Sequence, residues 1–165
     1  MKDKFTFDME KAVRTHADMV YRLALLNSKN KHEAEDAMQE VFLKLYSHQD
    51  SIRNENHLKA WLIRVTINQC RSMAVTAWNT KRVSLEEWME SSEDIPEEEK
   101  EDFSEVYQAV KELPEKYREV IHLFYYEEFS IKDIAAILER NESTIKTHLK
   151  RGRKLLEKKL QREWK

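Results

Sequence analysis

Glycine, proline and cysteine are nearly absent from this chain: its 165 residues include one glycine (Gly152), two prolines (Pro96 and Pro114) and one cysteine (Cys70). Turn-dense sandwiches, barrels and phosphate-cradling glycine loops need many more chain-reversal residues than this, so the composition predicts an all-α fold. A single thiol excludes an internal disulfide framework and any zinc site made of cysteines alone, and it suits a reducing cytoplasm. No apolar run reaches the roughly 18 residues of a membrane span, and Met1 to Phe5 lacks the apolar stretch of a secretory signal. These absences predict a cytoplasmic, unexported protein with no membrane insertion.

Charge is plentiful but unevenly placed. The net charge of −2 averages three blocks. Residues 1–82 carry 14 Lys and Arg against 10 Asp and Glu, residues 83–105 carry 1 against 11, and residues 106–165 again carry 14 against 10. Two basic blocks joined by an acidic connector predict two small helical domains, 1–82 and 105–165, with a linker over 83–104. Within the last block, residues 144–165 hold nine cations and two acids, the electrostatic signature of a polyanion partner.

Apolar periodicity fills in the helices. Val13, Ala17, Val20, Leu23, Ala24 and Leu26 form one stripe, with Asp8 as its expected N-cap. Ala37, Met38, Val41, Phe42, Leu45 and Tyr46 form a second, ending near Ser47 to Asp50. A third begins after Asn54 to Asn56 with Leu58, Trp61, Leu62, Val65 and Gln69 on one side, and is expected to run to about Ala77. Val106, Val110 and Leu113 make a short helix stopped by Pro114. Tyr117, Val120, Ile121 and Phe124 make the next. Ser130 followed by Asp133 is a capping pattern that starts a helix burying Ile131, Ile134, Ala135 and Leu138. After a break at Glu139 to Glu142, a basic helix with Ile145, Leu149, Leu156 and Leu160 completes a helix-turn-helix.

Three constellations are candidates for function. If Ile145 and Leu149 face the core, then Thr144, Lys146, Thr147, His148, Lys150 and Arg151 spread over the outer sides, where cations neutralise phosphates and Thr, His and Arg reach base edges. The plainer alternative is a solvated basic helix or a coiled-coil strand. Trp61, Arg64, Asn68, Arg71 and Trp78, with Lys81 and Arg82 beyond, mix rings and cations as a single-stranded nucleic acid surface requires, although a tryptophan at helical spacing also serves as core. Catalytic patterns are missing: His32-Glu33-Ala34-Glu35-Asp36 lacks the second histidine of a zinc-protease helix. The one Glu-x-x-His pair, Glu119 and His122, has no second copy. No enzyme, metal site or cofactor is expected, and Cys70 reads as a small buried hydrophobe.

Four strings, in order, resemble a known family. Ala34-Glu35-Asp36-Ala37-Met38-Gln39-Glu40-Val41-Phe42-Leu43-Lys44-Leu45-Tyr46 resembles the helix by which bacterial sigma factors grip core RNA polymerase. Lys59-Ala60-Trp61-Leu62-Ile63-Arg64-Val65-Thr66-Ile67-Asn68 is similar to their promoter-melting helix. Leu113-Pro114-Glu115-Lys116-Tyr117-Arg118-Glu119-Val120-Ile121 resembles the opening of their C-terminal DNA-binding domain, and Ser143 to Leu155 its completion. The spacing, with no third domain between, resembles the compact extracytoplasmic-function (ECF) group.

The resemblance implies an initiation factor that binds core polymerase and directs it to promoters. It places Asp36, Gln39, Glu40 and Phe42 at the polymerase contact. It places Trp61, Arg64, Asn68 and Arg71 at the melted minus-ten element, with a loop over Thr76 to Arg82, including Trp78, Asn79, Lys81 and Arg82, around a flipped base. Ser143, Thr144, Lys146, Thr147, His148, Lys150, Arg151 and Arg153 would read the minus-thirty-five duplex. An anti-sigma factor is an implied further partner, and the acidic linker is expected along a basic polymerase channel. The chain departs from the family at Glu139 and Ser143, where glycines are usual, and at His148, where arginine is usual. Asn141 is then the expected bearer of the turn's unusual backbone angles. Two other function classes fit parts of the chain: a stand-alone helix-turn-helix regulator, which leaves residues 1–82 without a role, and a helical protein-interaction module with no salt-dependent DNA affinity.

Overall fold

The computed structural model describes residues 5–80 and 105–163, with backbone alone at 77–80 and 162–163. Among the described residues there are seven α-helices and no strand. The chain forms two compact units, Met1–Ile95 and Pro96–Lys165. Lys81, Arg82 and the acidic connector of residues 83–104 lie outside the described residues.

The first unit contains α1 (Met9–Leu26), α2 (Lys31–His48) with a 3-10 turn at Gln49–Ser51, and α3 (Glu55–Thr80). Each start is capped by a short polar side chain. Asp8 accepts from the Glu10 amide at 3.0 Å, Asn30 from the Glu33 amide at 2.8 Å and Asn54 from the His57 amide at 2.8 Å. Such caps satisfy amides that the helix itself leaves open, each worth about 1 kcal/mol. The three helices pack on one another around Val20, Leu23, Leu26, Val41, Leu45, Leu58, Leu62 and Ile63, all fully buried. Small residues set the closest approach: Ala24, Ala34, Ala37 and Cys70 form one buried cluster, so Cys70 is the packing residue its surroundings predicted. Thr66, fully buried in α3, meets its polar need by donating to the Leu62 carbonyl at 2.6 Å.

The second unit contains α4 (Glu105–Lys111), α5 (Glu115–Ile121) continuing into a π turn at His122–Tyr126, α6 (Ile131–Leu138) and α7 (Glu142–Glu163). Arg118 donates to the carbonyls of Lys111 at 3.4 Å and Leu113 at 3.2 Å, closing the end of α4 over Pro114. Ser130 accepts from the Asp133 amide at 3.0 Å, as the capping pattern predicted. The core is Leu113, Val120, Ile121, Leu123, Ile134, Ile137, Ile145 and Leu149.

Several expectations need correction. Tyr46 and Val106 belong to the expected apolar stripes, yet they are 65% and 52% exposed; Leu45 beside Tyr46 is buried as expected, and Ala109, three residues after Val106, is the buried residue of α4. In α6, Ile137 is buried whereas Ile131 and Leu138 are only partly so. Helix α3 does not stop near Ala77 but continues through Thr80, so Thr76 to Thr80 is helix rather than loop. With no glycine or proline between Glu55 and Thr80, nothing local ends it. Asn141 does not carry the turn's left-handed angles. Glu139 does, at φ 56° and ψ 48°, because the helix terminates there and the residue past the last turn must reverse the chain.

Candidate polymerase and nucleic-acid interfaces

On α2 the buried stripe Ala34, Ala37, Val41 and Leu45 turns Asp36, Gln39 and Glu40 to solvent as one ridge. Phe42 is half-buried and supports the ridge from its flank. Leu43 and Tyr46, 63% and 65% exposed, extend the same face with apolar surface. Spacing could have found them, since Leu43 lies four residues after Gln39 and Tyr46 three after Leu43. Exposed large apolar groups beside a polar ridge are what a protein partner covers.

On α3 the buried face is Leu58, Leu62, Ile63, Thr66, Ile67 and Cys70. Its register leaves Trp61 and Arg64 half-buried and Asn68 and Arg71 exposed along another side. The Trp61 ring lies 6.0 Å from that of His48, tilted by 40°, so it leans on the end of α2 instead of entering the core. His57 begins this side. Its Nδ1 accepts from the Arg53 amide at 3.0 Å, and burial foremost, then Arg53 and Arg64, lowers its pKa from 6.5. Rings and guanidinium groups thus share one strip, the composition that stacks bases and follows a backbone. Trp78 and Asn79 are on the helical backbone that continues this strip, their side chains outside the described residues, as are Lys81 and Arg82.

The second unit builds a helix-turn-helix from α6 and α7, joined by Glu139, Arg140 and Asn141. The amides of Glu139 and Arg140 both donate to the Ala135 carbonyl, the latter at 3.0 Å, which closes α6. Arg140 then reaches back to Glu119 of α5 at 3.0 Å; the glutamate side chain is fully buried. Glu119 therefore braces the turn, and His122 stacks on Tyr126 with ring centroids 5.2 Å apart. The suggestive Glu-x-x-His pair is divided between two structural tasks.

Ile145 and Leu149 are buried, which fixes the rotation of α7. Gly152 belongs to the same face: a Cβ there would stand 3.0 Å from Ile121 Cγ1 and 3.4 Å from Tyr117 Cβ, so the missing side chain lets α7 lie against α5. Ser143, Lys146, Thr147, Lys150 and Arg151 are exposed on the remaining surface, with Thr144 half-buried at its edge. The Thr147 hydroxyl donates to the Ser143 carbonyl at 3.0 Å. Arg153 is exposed but donates to the Tyr125 hydroxyl at 2.9 Å, so it belongs to the flank. Lys154, exposed four residues after Lys150 and three after Arg151, joins the cationic face beyond the residues expected there, and the same spacing points to it. His148 is half-buried, its ring edge-on to Tyr117. Among the described residues no cluster of His, Cys, Asp and Glu could hold a metal, and no helix is long and apolar enough to cross a membrane.

Comparison with known proteins matches this division. The family Sigma-70 region 2 matches residues 12–80, and Sigma-70 region 4 matches residues 103–156. The RNA polymerase sigma factor SigV of Bacillus subtilis is 31% identical over 155 residues, covering 92% of this chain and 90% of its own. The ECF RNA polymerase sigma factor SigW of the same organism is 31% identical over 161 residues, covering 90% and 86%. In fold, the chain is similar to the sigma factor RpoE of Bartonella quintana, solved with the anti-sigma factor NepR: the TM-score is 0.75 at 23% identity, over 93% of this chain and 97% of that one. With both sigma regions matched in order and relatives aligned over nine-tenths of its length, the chain belongs to the ECF group of RNA polymerase sigma factors.

Proposed function

We propose that this protein is an initiation factor, not an enzyme, that binds core RNA polymerase and directs it to specific promoters. The observation that carries the reading is that one chain holds both an exposed polar ridge on α2 and a basic helix α7 locked in rotation by Ile145, Leu149 and Gly152. Asp36, Gln39 and Glu40, backed by Phe42 and extended by Leu43 and Tyr46, meet the polymerase. Trp61, Arg64, Asn68 and Arg71, continued by Trp78, Asn79, Lys81 and Arg82, hold the unpaired strand at the minus-ten element. Ser143, Thr144, Lys146, Thr147, His148, Lys150 and Arg151 face the minus-thirty-five duplex, with Arg153 on the flank.

The working division is residues 1–82, a linker at 83–104 and residues 105–165. Two DNA-binding units on one tether support this, since the first contact raises the effective concentration of the second. Melting requires no bond chemistry; binding unpaired bases better than paired ones shifts the equilibrium. An anti-sigma factor is a further proposed partner, supported by the anti-sigma factor solved in complex with the Bartonella protein of similar fold. Size-exclusion chromatography with sigma-free bacterial core polymerase tests the reading. The protein co-elutes with core, and an Asp36→Ala/Gln39→Ala/Glu40→Ala variant that keeps its helicity does not; equal co-elution of both would refute the ridge.

A further inference from the structure

His148 differs in kind from the cations beside it on α7. Its ring meets that of Tyr117 edge to face, with centroids 5.5 Å apart and an interplanar angle of 83°. Tyr117 is itself fixed: the Lys116 ammonium lies 5.1 Å from its ring centre, and its Cβ is seated over Gly152. The inner ring nitrogen of His148, Nδ1, is buried and has no hydrogen-bond partner. A proton there would be an unsatisfied buried donor, whereas a bare lone pair costs less. Burial foremost, and then Arg140, Lys116 and Arg151, disfavour a second proton on the ring. The resident form is therefore the neutral ring with its single proton on Nε2, the nitrogen on the less buried side.

We propose that His148 reads one base pair of the duplex as a single-donor head that admits adenine, guanine or thymine on the strand it faces and rejects cytosine, with Tyr117 as the residue that positions it. The proposal rests on the assignment of α7 to the minus-thirty-five duplex. In the major groove adenine and guanine offer N7 and thymine offers O4, all acceptors, whereas cytosine offers only its N4 donor. An arginine at this place would present two donors to the paired acceptors of guanine and fix that base. A histidine held neutral by its surroundings makes one bond and broadens the site.

Selection from a duplex library with a randomised window tests this, using the full chain and its His148→Ala, His148→Arg, Tyr117→Phe and Tyr117→Leu variants. The wild-type motif contains one position where cytosine is depleted about fivefold, the worth of one hydrogen bond, while the other three bases are not separated. At that position His148→Arg narrows the preference to guanine, His148→Ala and Tyr117→Leu flatten it, and Tyr117→Phe, which keeps the ring, preserves it. The rest of the motif persists in every variant and certifies folding. A wild-type motif without such a position, or a profile that His148→Ala or Tyr117→Leu leaves unchanged, overturns the proposal. Loss of the entire motif in Tyr117→Leu makes Tyr117 a structural residue and overturns its positioning role. A wild-type chain that selects no motif at all overturns the assignment of α7, and this proposal with it.

Discussion

Glu128 and Glu139 hold left-handed backbone angles, φ 60° and φ 56°, that a glycine adopts without steric penalty. Replacing exposed Glu128 by glycine is expected to raise stability by about 1 kcal/mol, read as a higher urea midpoint at constant slope, and Glu139→Gly should act in the same direction. The one glycine present is used differently, for close approach within a helix. Gly152→Leu drives side-chain atoms into Ile121 and should lower stability by about 2 kcal/mol or more in the same measurement. Titration adds a third effect. The folded state lowers the pKa of His148 below its ordinary 6.5, by burial and then by Arg140, Lys116 and Arg151. Just below pH 6.5 the unfolded chain therefore binds more protons than the folded one, and stability falls as pH falls through that window. Urea midpoints between pH 7.5 and 5.5 should decline less steeply in His148→Gln than in the wild type. The left-handed glutamates were hidden from sequence reading because turn chemistry points to Asn, Asp and Gly. Glu139 enters that region because it is the residue at which α6 ends and the chain reverses.

At the scale of the helices, the order and approximate bounds were legible from apolar spacing and from the caps Asp8 and Ser130, because both signals are local. What was not legible depends on partners far along the chain. Glu119 and Arg140 are 21 residues apart, and no pattern links them, yet the fully buried glutamate and the partly exposed arginine form the ion pair that braces the helix-turn-helix. Removing Glu119 leaves the partly solvated Arg140 guanidinium without its carboxylate and takes a buried side chain out of the unit. Glu119→Ala should therefore lower stability by about 1–3 kcal/mol, detectable by thermal or chemical unfolding. The exposure of Lys146, Lys150 and Arg151 is legible from the burial of Ile145 and Leu149, whereas Lys154 is exposed on the same side and Arg153 is engaged with Tyr125. For phosphate contacts, Lys146→Ala and Lys150→Ala should each reduce the slope of log affinity against log salt by about 1, without changing which duplexes are preferred. A slope that stays the same would remove those lysines from the interface.

On the scale of the whole chain, each unit has a core of its own, built from α1 to α3 in one and α4 to α7 in the other. A destabilising change should then remain local: in Glu119→Ala, amide hydrogen exchange speeds up in α4 to α7 while α1 to α3 keep their protection. The length of α3 has a consequence of another sort. Its 26 residues span about 39 Å, and among the described side chains Met73 is the last packed on the unit's core, with Ala74, Val75 and Thr76 exposed. The helical backbone beyond Met73 takes its bearing from the count of residues since that packed position. One residue inserted beyond Met73 would rotate everything after it by about 100° and advance it by about 1.5 Å, whereas seven would return it almost to its original bearing, two turns further out. In that stretch the number of residues works as an angular setting, independent of which residues they are.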